Sequence, residues 1–272
     1  MLCVFPYLGG KQYLVKKLLT LIPPHRIYCE PFGGAASLLL NKEPSQLEVY
    51  NDLDGELVNL FMVIRDRPFE FLSRLEALLY SREIFRIWAR EFREGDAPRD
   101  PMERATRFYY VLKSSFAGRS THVGWAYTKK ERKPYFLLDR GSLLYIHDRL
   151  RRVYIDHLNY EECIRRWDSP ETFFYLDPPY QGASGYPIDF RDEDHRRLAG
   201  ILRGVEGKWL LTINDTSFIR GLYMGRGYKI EKAETTMASK KIKGGERPRL
   251  IHLLIRNYDL AEDEIKEEPT SS

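Results

Sequence analysis

The chain of 272 residues is 43% hydrophobic and 30% charged, the balance of a soluble globular protein able to bury the core of one large α/β domain, or of one such domain carrying an insertion. No apolar run approaches the roughly 20 residues of a membrane span, and Met1-Leu2-Cys3-Val4-Phe5-Pro6 has no basic stretch leading into an apolar one; a cytoplasmic location is expected and a signal peptide is not. The net charge of +4 is unevenly spread, with twelve Lys/Arg against three Asp/Glu between Arg104 and Arg152 but five against six between Met1 and Met62, as in a near-neutral domain with a polyanion-binding insert.

In chain order, apolar residues Leu14, Val15, Leu18, Leu19 and Ile22 recur at helical spacing until Pro23-Pro24. Residues 26–30 form a short strand candidate that enters Pro31-Phe32-Gly33-Gly34, and 35–41 are a helix-forming run. A second strand, 47–50, ends at Asn51-Asp52, and Leu57, Leu60, Phe61 and Ile64 mark one face of the next helix. This alternation predicts parallel strands joined by crossover helices. From about 65 to 170 the pattern turns mainly helical and basic, with an irregular stretch at 114–134. Strand alternation returns at 172–176, continues with a helix at 193–202 and a strand at 209–213, and ends with strands at 228–234 and 250–255 around a basic loop. The division is therefore a catalytic domain of 1–64 with 171–258, an insert of 65–170, and an acidic, disordered tail of 259–272.

In nucleotide-binding α/β folds a glycine turn after the first strand admits the ligand to the backbone, and an acid about 20 residues later grips the ribose hydroxyls. Gly33 and Asp52 have that spacing. The run Glu30-Pro31-Phe32-Gly33-Gly34-Ala35-Ala36 lacks the third glycine of GxGxxG, which disfavours a dinucleotide, and Gly9-Gly10-Lys11-Gln12 lacks the Ser/Thr and upstream glycine of a phosphate loop. S-adenosylmethionine, with a ribose and no phosphate, fits better. Taken alone, the glycine pair is also compatible with a plain tight turn.

Asp177-Pro178-Pro179-Tyr180 carries the sharpest chemistry. Each proline lacks an N–H and extends its predecessor, so the end of a strand presents acceptors without competing donors. An exocyclic amine has two hydrogens to give, one to the Asp177 carboxylate and one to the Pro178 carbonyl, and holding both favours a pyramidal, nucleophilic nitrogen. Tyr180 offers a flat face for a base rotated out of a duplex.

With these motifs in order, the chain resembles the Dam-type (D12 class) N6-adenine DNA methyltransferases. The resemblance rests on Tyr7-Leu8-Gly9-Gly10-Lys11, the run from Glu30 through Ala35 and Ala36 to Ser37, Tyr50-Asn51-Asp52, Asp177-Pro178-Pro179-Tyr180 and the region of Asn214-Asp215-Thr216. It implies a Rossmann-like methyltransferase sheet with a mainly helical target-recognition insert. By the same resemblance Tyr7, Lys11, Glu30, Pro31, Phe32, Gly33, Ala35 and Ser37 line the cofactor pocket, Asp52 binds the ribose, and Asp177 touches both the cofactor and the target amine. Tyr7 stands where many relatives have tryptophan, and the insert lacks the family's better-known recognition strings.

In the insert, Lys113, Arg119, Lys129, Lys130, Arg132 and Lys133 are interleaved with Phe116, Trp125, Tyr127 and Tyr135, a pattern suited to phosphates of double-stranded DNA and equally to a solvated hairpin. Cys3, Cys29 and Cys163 have no zinc or disulfide spacing and read as idle thiols. His122, His147, His157, His195 and His252 show no triad or metal spacing and read as structural or surface residues. Methylation of cytosine N4, which uses the same kind of amine, and a DNA-binding relative without catalysis remain the alternatives.

Overall fold

The computed structural model describes residues 4–5, 11, 13–115, 124–125, 140–183, 189–236 and 249–260. Its strands are β1 (Ile27–Glu30), β2 (Leu47–Asn51), β3 (Val153–Asp156), β4 (Thr172–Leu176), β5 (Lys208–Asn214), β6 (Lys229–Thr236) and β7 (Arg249–Arg256), joined in one sheet in the order β3-β2-β1-β4-β5-β7-β6. The strands from β3 to β5 in that order are parallel, and β7 runs antiparallel to both β5 and β6. Side chains alternate into two cores, as expected for a sheet covered on both faces. Tyr28, Tyr50, Phe173 and Leu210 enter one core, while Cys29, Val49, Phe174, Trp209 and Leu211 enter the other.

The helices are α1 (Val15–Leu19), α2 (Gly55–Asp66), α3 (Pro68–Glu76), α4 (Arg82–Glu94), α5 (Pro101–Ser114), α6 (Arg140–Leu150), α7 (Tyr160–Trp167), α8 (Asp192–Leu202) and α9 (Ser217–Tyr223). Helix α2 begins where the Asp54 carboxylate accepts the Glu56 N–H at 2.9 Å, and α4 begins where Ser81 caps Ile84 and ends at Gly95 with φ +80°. Met102, Ala105, Phe108 and Leu112 of α5 pack with Leu57, Leu60 and Phe61 of α2 in the first core.

Three expectations from sequence change. The 65–170 segment is not wholly an insert, because β3 pairs with β2 from Glu48↔Val153 to Asn51↔Asp156 and α7 places Cys163 and Ile164 in the second core. Strand β3 has four residues at the sheet edge and buries only Val153, so it carries no alternating signal. The helix expected over 35–41 is a succession of turns, because Gly34 and Ala36 take positive φ, the backbone of Gly34 just before the run bonds to the side chains of Tyr50 and Asp52, and the Leu39 N–H within it bonds to Glu30. The first helix is confined to α1, short of Ile22.

A buried ionic knot ties α6 to the sheet. Glu48 on β2 accepts hydrogen bonds from Lys42, from the Ser45 N–H at 3.0 Å and from both terminal nitrogens of Arg149, and Arg149 also donates to the Leu39 carbonyl at 2.7 Å. The three charged side chains are 3–7% exposed. Removing one partner from such a knot strands the other charges, a loss of about 3–5 kcal/mol. Glu48→Ala is expected to lose that much stability in guanidinium unfolding; a loss near zero would mean that solvent already screens the knot.

Candidate active site

Because β2, β1, β4 and β5 are parallel, their carboxyl ends open on one edge of the sheet. The segments that leave β1 and β4 there flank the position where α/β sheets place their ligands. Pro31 follows β1, Asp52 follows β2, Asp177 follows β4, and Asn214 ends β5.

Asn51, fully buried at the end of β2, ties that end to the segments leaving β1 and β3. Its amide donates to the carbonyls of Pro31 and Leu158, both at 3.0 Å, and its side-chain oxygen accepts the Leu158 N–H at 2.8 Å. The Gly33 N–H donates to the Asn51 carbonyl at 2.8 Å. A Cβ on Gly33 would lie 2.2 Å from the Tyr50 ring, so this glycine is required by close approach. The Tyr50 hydroxyl donates to the Gly34 carbonyl at 2.8 Å.

Asp52 organises the same turn. One carboxylate oxygen accepts the Gly34 N–H and the other the Asp54 N–H, both at 2.8 Å. Burial raises its pKa, and the N–H groups of Asp54, Gly34 and Leu53 oppose that rise. Glu30, 1% exposed, accepts from the Tyr28 hydroxyl at 2.6 Å and the Leu39 N–H at 2.8 Å. Burial pushes its pKa up to about 7 against those bonds. Phe32 stacks on Tyr160 with ring centres 5.1 Å apart and meets Phe190 edge-on at 5.7 Å. Ala35 is buried, Ser37 is half-buried, and the Ser37 carbonyl accepts from Asn41 at 2.9 Å.

The Asp177 carboxylate receives Lys11 Nζ at 2.6 Å and the Thr212 hydroxyl at 3.1 Å. Burial raises its pKa, while the charge and hydrogen bond of Lys11 and the Thr212 bond pull it back without cancelling the rise. The same ammonium lies 4.4 Å from the centre of the Tyr180 ring, within cation–π range. Pro178 is buried and Pro179 half-buried. Beyond them Asn214 grips the backbone of Gln181, accepting its N–H and donating to its carbonyl, both at 3.0 Å. The Tyr180 hydroxyl is hydrogen-bonded to His252 Nδ1.

The fold thus brings Lys11, Asp177 and Tyr180 into contact, and separately ties Glu30 and Asp52 to the turn that contains Gly33. Tyr7, Arg119, Lys129, Lys130, Arg132 and Lys133 lie outside the described residues, and Lys113 is half-buried in the last turn of α5. Sequence reading did not single out Thr212, and it took His252 for a structural or surface residue. Each is a polar residue flanked on both sides by apolar ones within its strand, the sign that could have marked it.

Strand order, parallel centre and antiparallel β7 are those of a Rossmann-like methyltransferase. The chain belongs to the D12 class N6 adenine-specific DNA methyltransferases, whose family model matches residues 7–238, and it is an adenine-specific DNA methyltransferase. It is 28% identical to the type II methyltransferase M.CviBI of Paramecium bursaria Chlorella virus NC1A, over 92% of this chain and 97% of that protein. It is 24% identical to the DNA adenine methylase of Escherichia coli K12, over 90% and 91% respectively. The type II methyltransferase M1.LlaDCHI of Lactococcus lactis subsp. cremoris is also 24% identical, over 92% and 93%.

Gly33→Ala is expected to cost about 1–3 kcal/mol through overpacking against Tyr50. Combining it with Tyr50→Leu should lose less than the two single losses added together, as read by thermal unfolding; strict additivity would contradict the contact.

Proposed function

We propose that this protein transfers the methyl group of S-adenosylmethionine to the N6 amine of an adenine rotated out of double-stranded DNA. The observation that carries this reading is the Asp177 carboxylate, held by Lys11 and Thr212 at the end of β4 and followed by two prolines and Tyr180.

The donor set suits such a cofactor. The Asp52 oxygens accept the N–H groups of Gly34 and Asp54, and the four lone pairs of a carboxylate leave room to accept a ribose hydroxyl as well. The run after Gly33-Gly34 is a set of turns rather than a regular helix, so no helix N-terminus is offered there to a phosphate. Asp52 and Asp177 both follow strands that end on this edge, a favourable setting for a cationic sulfonium. Tyr7, Lys11, Glu30, Pro31, Phe32, Gly33, Ala35, Ser37 and Asp52 would hold S-adenosylmethionine, which supplies an electrophilic methyl group when bound.

Asp177 must be ionised to accept an amine hydrogen. Burial works against that, and Lys11 counteracts it with a charge 2.6 Å away. The Asp177 carboxylate takes one hydrogen of the amine and the Pro178 carbonyl the other, and the carboxylate stabilises the positive charge that grows on nitrogen. Tyr180 supports the base in plane. Lys113, Arg119, Lys129, Lys130, Arg132 and Lys133 are proposed to bind DNA phosphates. A DNA substrate also agrees with the cytoplasmic location expected from sequence.

The deciding experiment incubates the protein with methyl-labelled S-adenosylmethionine and mixed-sequence duplex DNA, then identifies the labelled nucleoside. Label is expected in N6-methyldeoxyadenosine; label in N4-methyldeoxycytidine, or none, would overturn the reading. Asp177→Ala should lower transfer by at least on the order of 10²-fold in a variant whose circular dichroism still shows the folded sheet and helices, and a fully active variant would refute the role of this carboxylate. Replacing Lys129, Lys130 and Lys133 with Glu should weaken DNA binding and flatten its salt dependence, by about 0.9 in log–log slope for each phosphate no longer neutralised. An unchanged slope would remove these lysines from the interface.

A further inference from the structure

Tyr180 follows two prolines and a carboxylate that is already held on one side, yet its own ring could turn about the side-chain bonds, since the terminal torsion of a tyrosine is soft. Its hydroxyl is hydrogen-bonded to His252 Nδ1, and His252 Nε2 is hydrogen-bonded to the Thr235 hydroxyl at 2.7 Å. The two rings meet edge-on, with centres 5.6 Å apart and planes at 70°. His252 is 4% exposed within the apolar run of β7, a placement that is costly for an imidazole unless both nitrogens are bonded. Both are.

The sheet explains how the histidine reaches the motif. His252 pairs directly with Asn214 across β5 and β7, and with Ala233 across β7 and β6. Asn214 clasps the Gln181 backbone, so two paired residues hold consecutive parts of the motif's end: one the main chain after Tyr180, the other the Tyr180 hydroxyl. Thr235 lies two residues further along β6 and closes the line of hydrogen bonds.

We propose that His252, backed by Thr235, is a positioning residue that fixes the tilt of Tyr180 and so sets the platform for the target base and the approach of Lys11 to Asp177. This rests on the reading of Asp177 to Tyr180 as the site of methyl transfer. Burial and the Lys11 charge keep His252 uncharged, with a pKa near 4, so the imidazole has one acceptor and one donor. One of the two hydroxyls, of Tyr180 or of Thr235, therefore donates to the ring and the other accepts from it. Because Lys11 touches both the Tyr180 ring and the Asp177 carboxylate, a ring released from His252 would also loosen the contact that keeps the carboxylate ionised.

The test measures kcat and KM for methyl transfer to duplex DNA in wild type, Tyr180→Phe, His252→Leu, His252→Asn and the His252→Leu/Tyr180→Phe double variant. Tyr180→Phe and His252→Leu should each lower kcat by about tenfold, the scale of a modest misplacement, with little change in KM for the cofactor. The double variant should lose no more than the weaker single variant, and His252→Asn, whose side-chain oxygen can accept the hydroxyl, should recover most of the rate. If His252→Leu does not fold, the pair Tyr180→Phe and His252→Asn decides: a slow Tyr180→Phe beside a near-normal His252→Asn supports the proposal. Additive losses, or Tyr180→Phe at the wild-type rate, would overturn it while leaving the methylation reading intact. A wild-type protein with no transfer to adenine would overturn that reading, and this proposal with it.

Discussion

The constraint on which the rest of this molecule depends is the parallel pairing of β1 with β2 on one side and β4 on the other. Parallel strands finish on the same edge, so the chain must leave β1, β2 and β4 within one small region, and whatever follows them becomes a shared surface. Here those exits are Pro31, Asp52 and Asp177. Asn51 makes the arrangement rigid by bonding to the backbone beyond both β1 and β3, and Tyr50 fills the space that any side chain at residue 33 would need. The glycine turn is therefore shaped by its packing as much as by its freedom of backbone.

Two ionic groupings show different uses of buried charge. Glu48 is enclosed by Lys42 and Arg149, and this pairing overcomes burial to hold its pKa below the ordinary carboxylate value; the knot joins α6 to the sheet and offers nothing to a ligand. Asp177 meets Lys11 and Thr212, and burial still outweighs them. A carboxylate left partly uncompensated in this way gains from a further donor, and an amine hydrogen in the proposed reaction is such a donor. Lys11 touches both this carboxylate and the Tyr180 ring, so the acid and the aromatic ring share one cation.

Much of the candidate site's local geometry was legible because it follows from where its residues stand in the chain. A glycine against a backbone, an acid at a strand end and two prolines that delete N–H groups are local facts of covalent geometry and hydrogen-bonding capacity, and they survive translation from sequence to structure. The run 35–41 was misread because its apolar residues favour a helix, whereas Tyr50 and Asp52 hold the backbone of Gly34 at its entrance and Glu30 captures the Leu39 N–H within it. Strand β3 escaped notice because an edge strand of four residues with one buried side chain leaves no periodic trace.

The sequence by itself determined the α/β class, the order of the motifs and the hydrogen-bonding capacity of Asp177-Pro178-Pro179-Tyr180, since each follows from local patterning and side-chain type. Only the tertiary structure decided which groups meet those residues and the one after them: Lys11 and Thr212 on Asp177, Asn214 on Gln181, and His252 with Thr235 on Tyr180. These contacts join residues far apart in the chain through strand register, and register is set by packing and hydrogen bonding across the whole sheet.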